Sequence, residues 1–221
     1  MAKTKPFERH AEAYEQWFER NAERYASELE AVRRLMPGDG TGALEVGVGS
    51  GRFAAPLGIR RGVEPSRAMA RRAVERGIRV CAGVAERLPF LDERFGLVLM
   101  VTTICFVDDL PRSLREARRV LKPGGRVLLG FVDRESGLGR RYERRRAESR
   151  FYREATFYSA TEVRSRLEEA GFVLAGSAQT LMPGEPSATV RDGFGEGAFV
   201  VLEGRKDPQR DVNQGSRHEG S

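Results

Sequence analysis

Histidine is nearly missing: the 221 residues hold only His10 and His218, both close to an end of the chain. That scarcity argues against a zinc site and against a serine–histidine–aspartate triad, both of which need imidazole in the core. No metal is expected. Cysteine is equally sparse. Cys81 and Cys105 fall in apolar segments that read as neighbouring strands, which predicts buried reduced thiols rather than a disulfide. No uninterrupted apolar run approaches a membrane span, and the N-terminus lacks an apolar signal core. A cytoplasmic protein without a membrane partner is expected. Lysine occurs only at 3, 5, 122 and 206, so 34 of the 38 basic residues are arginine.

Hydrophobic residues at 40% and charged residues at 32% suit one globular domain with a sizeable core. The net charge of +6 is concentrated: residues 134–153 hold eight arginines and three glutamates, a local +5. Such a stripe can track phosphates. Here it alternates with Glu135, Glu143 and Glu148, the pattern of a solvated helix face, which argues against nucleic acid as the main partner.

Ala43-Leu-Glu-Val-Gly-Val-Gly-Ser-Gly51 reads as a short buried strand running into a glycine turn, with a helix expected over 52–57. Glycines at 47, 49 and 51 let the backbone turn sharply and approach a ligand closely. Upstream, residues 7–36 contain neither glycine nor proline, and apolar positions recur every three or four residues. This predicts an amphipathic helical cap, broken near Asn21 and stopped by Pro37-Gly38. Its front half, with Tyr14, Trp17 and Phe18, is a candidate lid. Downstream, strands are expected at 59–63, 78–82, 95–101 and 126–132. Between them a helix opens at Pro65-Ser66, with Met69, Ala70, Ala73 and Val74 inward, and another at Pro111, with Leu114, Ala117 and Leu121 inward. Alternation of this kind specifies an α/β fold with a mostly parallel sheet and helices on both faces. Glu64 ends the second strand, 17 residues after Gly47. In doubly wound folds an acid there accepts hydrogen bonds from ribose hydroxyls.

Four motifs in order, Leu-Glu-Val-Gly-Val-Gly-Ser-Gly, Gly-Val-Glu-Pro-Ser, Ala-Glu-Arg-Leu-Pro-Phe and Arg-Val-Leu-Lys-Pro-Gly-Gly, resemble the class I S-adenosylmethionine (SAM)-dependent methyltransferases, nearest the methyltransferase type 11 group. The resemblance spans residues 10 to about 203. It implies a Rossmann-like seven-stranded sheet whose last two strands, at 172–180 and 198–203, are an antiparallel pair at the edge. It also implies SAM as cofactor and S-adenosylhomocysteine as product. Glu45, Gly47, Gly49 and Gly51 would surround the amino-acid part and ribose. Glu64 would take the ribose hydroxyls and Pro65 would lie beside the adenine, with Ala85 and Glu86 on its other face. Thr102 and Thr103 would sit beneath the methionine portion. Two positions depart from the family: Val84 where many relatives have Asp, and Gly96 where most have Asp after Phe95. A dinucleotide fold would want Gly-x-Gly-x-x-Gly, and position 52 is Arg.

The remainder is less generic. A single domain is expected over 1–204, with an inserted helix or lid at 134–158 (helix 138–150) and a disordered tail at 205–221. Residues 183–197, rich in glycine and proline, read as a long loop. Ser159-x-x-Glu162 reads as a capping box. Tyr142, Arg150 and Tyr152, with Tyr14, Trp17 and Phe18, are candidate acceptor-binding residues. Candidate bases are Tyr14, Asp108, Asp133 and Glu135, although Asp108 and Asp109 also suit a helix cap. Three functions follow from the resemblance: methyl transfer to a small molecule through N, O or S, modification of RNA or protein using the arginine-rich insert, and SAM binding without turnover. A monomer or homodimer is expected.

Overall fold

The computed structural model describes residues 3–207. Eight strands form one sheet: β1 (Ala43–Val46), β2 (Arg61–Val63), β3 (Arg79–Cys81), β4 (Phe95–Val101), β5 (Leu121–Val132), β6 (Phe172–Thr180), β7 (Val190–Asp192) and β8 (Phe199–Lys206). Their spatial order is β3-β2-β1-β4-β5-β8-β6-β7. The first five are mutually parallel, β8 runs antiparallel to both β5 and β6, and β7 runs antiparallel to β6. Strand order reverses at β1, which has β2 on one side and β4 on the other. A crevice opens beyond the carboxyl ends of strands at such a switch point.

Side chains alternate across the central strands, as a sheet covered on both faces requires. Val98 and Met100 of β4 join one core, while Leu97, Leu99 and Val101 join the other. The first core is closed by helices α5 (Leu110–Val120) and α7 (Ala160–Glu169), through Leu114, Ala117, Val163 and Leu167. The second is closed by α2 (Ala11–Arg20), α3 (Ala22–Leu35) and α4 (Arg67–Glu75), through Phe18, Ala31, Val32 and Ala73. Helix α1 (Lys5–Arg9) precedes them, and α6 (Gly137–Arg144) with a 3-10 turn at Arg146–Glu148 follows β5.

Helix starts follow their side chains. Asp109 accepts from the Arg112 N–H at 2.8 Å and caps α5. At α7 the Ser159 hydroxyl accepts from the Glu162 N–H at 3.2 Å while the Glu162 carboxylate accepts from the Ser159 N–H at 2.7 Å, the expected capping box.

Several expectations need correction. The sheet has eight strands, not seven, because residues 190–192 inside the supposed loop pair with the end of β6. At three residues, β7 is too short to leave a period-two pattern, and short edges limit unwanted pairing. β8 lies inside the sheet, so the antiparallel pair β8–β6 is not itself the edge. The cap is three helices, broken at His10 as well as Asn21, whose side-chain amide donates to the Trp17 carbonyl at 2.8 Å. Residues 52–57 form turns rather than a helix. Pro56 has no N–H to give the Arg52 carbonyl, which takes its bond from the Tyr25 hydroxyl instead. The helix expected over 138–150 ends at Arg144, and the chain beyond it tightens into the 3-10 turn. Arg205 and Lys206 belong to β8: the buried Lys206 ammonium donates to the Leu121 carbonyl at 2.9 Å. The rest of the expected tail, from 208, lies outside the described residues. Cys81 is exposed and only Cys105 is buried, in a turn rather than a strand. Val74 is 57% exposed, on the outer side of α4.

Candidate active site

Gly47 and Thr103, each just past a neighbouring strand, meet at the switch point. Gly47 has φ +68°, and a Cβ there would lie 2.5 Å from Thr103 Oγ1 and Cγ2. Only glycine permits this approach without strain. The Thr103 hydroxyl lies 3.1 Å from the Val46 carbonyl and 3.0 Å from that of Val101, tying the two strand ends together. Thr102 holds φ +50° while its N–H donates to Gly130 at 2.7 Å. A left-handed, β-branched residue at a cavity wall is local strain held by the surrounding sheet.

Between these strand ends and the N-terminal helices lies a cavity of ≈ 170 Å³. Eight of the ten residues expected around a cofactor line it: Gly47, Gly49, Glu64, Pro65, then Ala85, Glu86, Thr102 and Thr103. Glu64, 8% exposed, accepts from the Gly49 N–H at 2.9 Å through Oε2 and from the Ser66 N–H at 2.8 Å through Oε1. Burial pushes its pKa up to about 7 against the pull of those two donors. Glu86 turns its carboxylate toward the Asp108 and Asp109 N–H groups, at 2.7 and 3.2 Å.

The other two lie behind the wall. Gly51 packs on α4, where a Cβ would come within 2.5 Å of Ile78 Cδ1. Glu45 lies on the strand face it shares with Ala43 and is buried. Its Oε2 has no partner among the described residues. Burial, offset in part by the Ala54 N–H and reinforced by Glu64, holds its pKa well above the usual carboxylate range.

Much of the remaining wall is aromatic. Tyr14, Trp17, Phe18 and Tyr152 line it as expected, joined by Phe7, Phe106 and Phe151. Phe106 stacks on Tyr152 at 5.7 Å, and Tyr152 on Tyr142 at 5.2 Å. Tyr142 itself borders a smaller adjoining void and not the main cavity. Arg150 is exposed and lines neither. Of the candidate bases, only Tyr14 borders the cavity. Asp108, Asp133 and Glu135 do not line the cavity, and buried Asp133 uses Oδ1 on the Glu135 N–H at 2.8 Å. Tyr14 does line it, yet burial, then Glu45 and Glu64, raise its pKa far above the ordinary phenol value. Burial lifts the Cys105 thiol to about 12, which disarms it as a nucleophile.

Sequence reasoning missed Arg24 and Glu28, both on the cavity wall. Arg24 donates from Nε to Glu28 Oε1 at 2.9 Å and from Nη1 to the Tyr142 hydroxyl at 2.8 Å. Its guanidinium lies 5.2 Å from the Trp17 ring and 5.7 Å from that of Tyr142. A signal existed: Glu28 falls in the same stripe as Tyr25, Leu29 and Val32, an acid among core positions.

Glu8 accepts from the Ser66 hydroxyl at 2.6 Å and the Ala68 N–H at 3.2 Å, fastening α1 to the start of α4. Glu15 of α2 accepts from Arg52 Nε at 2.9 Å and Arg76 Nη2 at 2.6 Å.

A switch-point crevice with a glycine turn on one wall and a ribose-height acid on the next defines a Rossmann-like nucleoside-cofactor enzyme of the SAM-binding class. Residues 44–129 match the family model described as "Methyltransferase domain". A Thermotoga maritima crystal structure, described as a SAM-dependent methyltransferase and possible histamine N-methyltransferase, is 49% identical. The match covers 92% of this chain and all of that one, with a TM-score of 0.88. An uncharacterized protein of Methanocaldococcus jannaschii is 42% identical over 203 residues, 90% of this chain and 98% of the relative. Another, from Mycobacterium tuberculosis, is 41% identical over 167 residues, 74% of this chain and 59% of the relative. The chain belongs to the SAM-dependent methyltransferases, and its cofactor is S-adenosylmethionine.

Proposed function

We propose that the enzyme methylates a small, ring-bearing molecule held beneath its own N-terminal helices. The observation that carries this reading is one cavity whose wall combines the glycine turn and Glu64 with a set of aromatic rings. Bound SAM supplies a methyl carbon activated by a positive sulfonium. The protein's part is to hold, align and keep dry.

Glu64 would take the ribose hydroxyls: each carboxylate oxygen retains a second lone pair after its backbone bond. The unpartnered Glu45 oxygen, behind the wall, would meet the cofactor's ammonium group through water, because an orphaned buried carboxylate is costly until a donor reaches it. Val84 offers the adenine backbone polarity only. Phe106, Phe151 and Tyr152 would face the acceptor and exclude water. A small aromatic acceptor also agrees with what the Thermotoga protein's description names. We place the protein in the cytoplasm as a monomer or homodimer.

A screen of thiols, amines, carboxylates and phenols, read as S-adenosylhomocysteine formed, tests the reading. Turnover confined to large RNA or protein acceptors would overturn the small-molecule assignment. One observation favours that second reading: Arg140, Arg141, Arg144, Arg145 and Arg150 are all exposed on and beside α6. Salt-sensitive RNA binding abolished by reversing Arg144 to Arg146 would support it.

A further inference from the structure

Glu28 is 3% exposed and yet belongs to the cavity wall. One oxygen is held by Arg24, and the other makes no hydrogen bond among the described residues. Burying such a pair is expensive, and apolar side chains of like volume would commonly hold the helix as well or better. The pair is also braced from outside its helix, by the Tyr142 hydroxyl and the Trp17 face. The bracing fixes Arg24 and therefore fixes Glu28. What remains is one acceptor oxygen of a braced carboxylate, on a wall shared with Trp17 and Tyr152.

We propose that Glu28 is the proton acceptor of the methyl transfer, and that the site takes ring-bearing acceptors whose nucleophile carries a proton, an amine or a hydroxyl. This rests on the methyltransferase reading and deepens it. As the acceptor's nitrogen or oxygen bonds to the methyl carbon, the carbon–sulfur bond breaks and leaves its electron pair on sulfur. The proton of the acceptor atom passes to the free Glu28 oxygen and then to solvent after product leaves. Burial raises the Glu28 pKa against the opposing pull of Arg24, which makes the carboxylate a better base than a surface one. A thiolate arrives without a proton and needs no such help.

Three probes separate the cases at mildly alkaline pH: 2-phenylethylamine, phenol and thiophenol, the last of which is present there as its thiolate. Binding is measured calorimetrically on protein loaded with S-adenosylhomocysteine, and turnover with SAM. Glu28→Gln keeps an oxygen for Arg24 but accepts no proton. It should retain S-adenosylhomocysteine affinity, hold the KM of amine and phenol within a few-fold, and lower their kcat by about 100-fold or more. Thiol turnover should change little, and Glu28→Asp should recover part of the lost rate. Unchanged amine and phenol kcat in Glu28→Gln would overturn the proposal. So would a fall confined to cofactor affinity, or failure of every probe to bind wild-type protein that does bind S-adenosylhomocysteine. Failure of wild-type protein to bind S-adenosylhomocysteine would instead remove the methyltransferase reading itself.

Discussion

Cofactor affinity should depend on pH through Glu64. Its carboxyl is raised from an ordinary 4.5 to about 7 in the ligand-free protein, chiefly by burial. A raised acid favours folding while protonated in both states. That contribution is complete below 4.5 and is lost as pH rises to about 7, amounting to about 3 kcal/mol for the shift. Ribose hydroxyls act in the opposite sense, because they donate best to the ionised carboxylate. Binding therefore draws Glu64 into its charged form, and one pH unit below the midpoint an ionised-only site loses affinity about 10-fold. Titration calorimetry with S-adenosylhomocysteine from pH 5.5 to 8.5 measures the slope. Glu64→Gln provides the control, since the ligand's own titration is common to both proteins. The wild-type profile should climb and flatten above about 7, while the variant, without that inflection, binds more weakly by roughly 1–3 kcal/mol at high pH and approaches wild type toward pH 5.5. Parallel profiles, or a variant that binds as tightly as wild type at high pH, would refute the ribose assignment.

Other perturbations test the frame around the site. Gly47→Ala adds a methyl 2.5 Å from the Thr103 side chain at φ +68°, so it should cost about 2–4 kcal/mol of stability by urea denaturation. The double variant with Thr103→Ala should regain part of that; no recovery would mean the backbone conformation alone is responsible. Glu15→Ala strands Arg52 and Arg76 and should destabilise by about 3 kcal/mol. Burial raises the Glu15 carboxyl, but the hydrogen bonds, those of the two arginines among them, prevail and lower its pKa. The wild-type advantage should therefore be present above the ordinary carboxylate pKa and disappear as pH falls through the depressed one; an advantage that persists in acid would contradict this. Iodoacetamide should label exposed Cys81 in native protein well before Cys105, whose thiol titrates at about 12; equal rates by mass spectrometry would argue against the packing around Ala155 and Phe157.

What was legible in the sequence is what local physics dictates. β4 occupies 95–101 as its unbroken apolar run requires, and the Ser159–Glu162 box lies where its spacing places it. The glycine turn follows from backbone geometry at Gly47. Failures occur where a distant partner decides. The 52–57 helix is lost to Pro56 and to a hydroxyl from α3, and β7 exists only because β6 offers its edge. Arg150 follows the 3-10 turn at Arg146–Glu148 and is exposed, a placement that charge and position alone do not fix.

The two parts of the cavity wall differ in legibility for one reason. Around the glycine turn, Gly47, Glu64 and Thr103 each sit one or two residues past a strand, so a linear motif and a strand order suffice to bring them together. Around Glu28, Arg24 meets Tyr142 across 118 residues of chain, from helices whose break at His10 no motif announces. On the proposed reading, acceptor choice would rest with the relative placement of α2, α3 and α6, which side-chain contacts set. Chains sharing the glycine turn but differing at 17, 24, 28 and 142 should keep the cofactor and change the acceptor. Replacing Trp17 and Tyr142 together should accordingly alter the order of acceptors in a turnover panel while leaving S-adenosylhomocysteine affinity within a few-fold. Unaltered acceptor preference would place selection elsewhere, and lost cofactor affinity would mean the two parts fold as one unit.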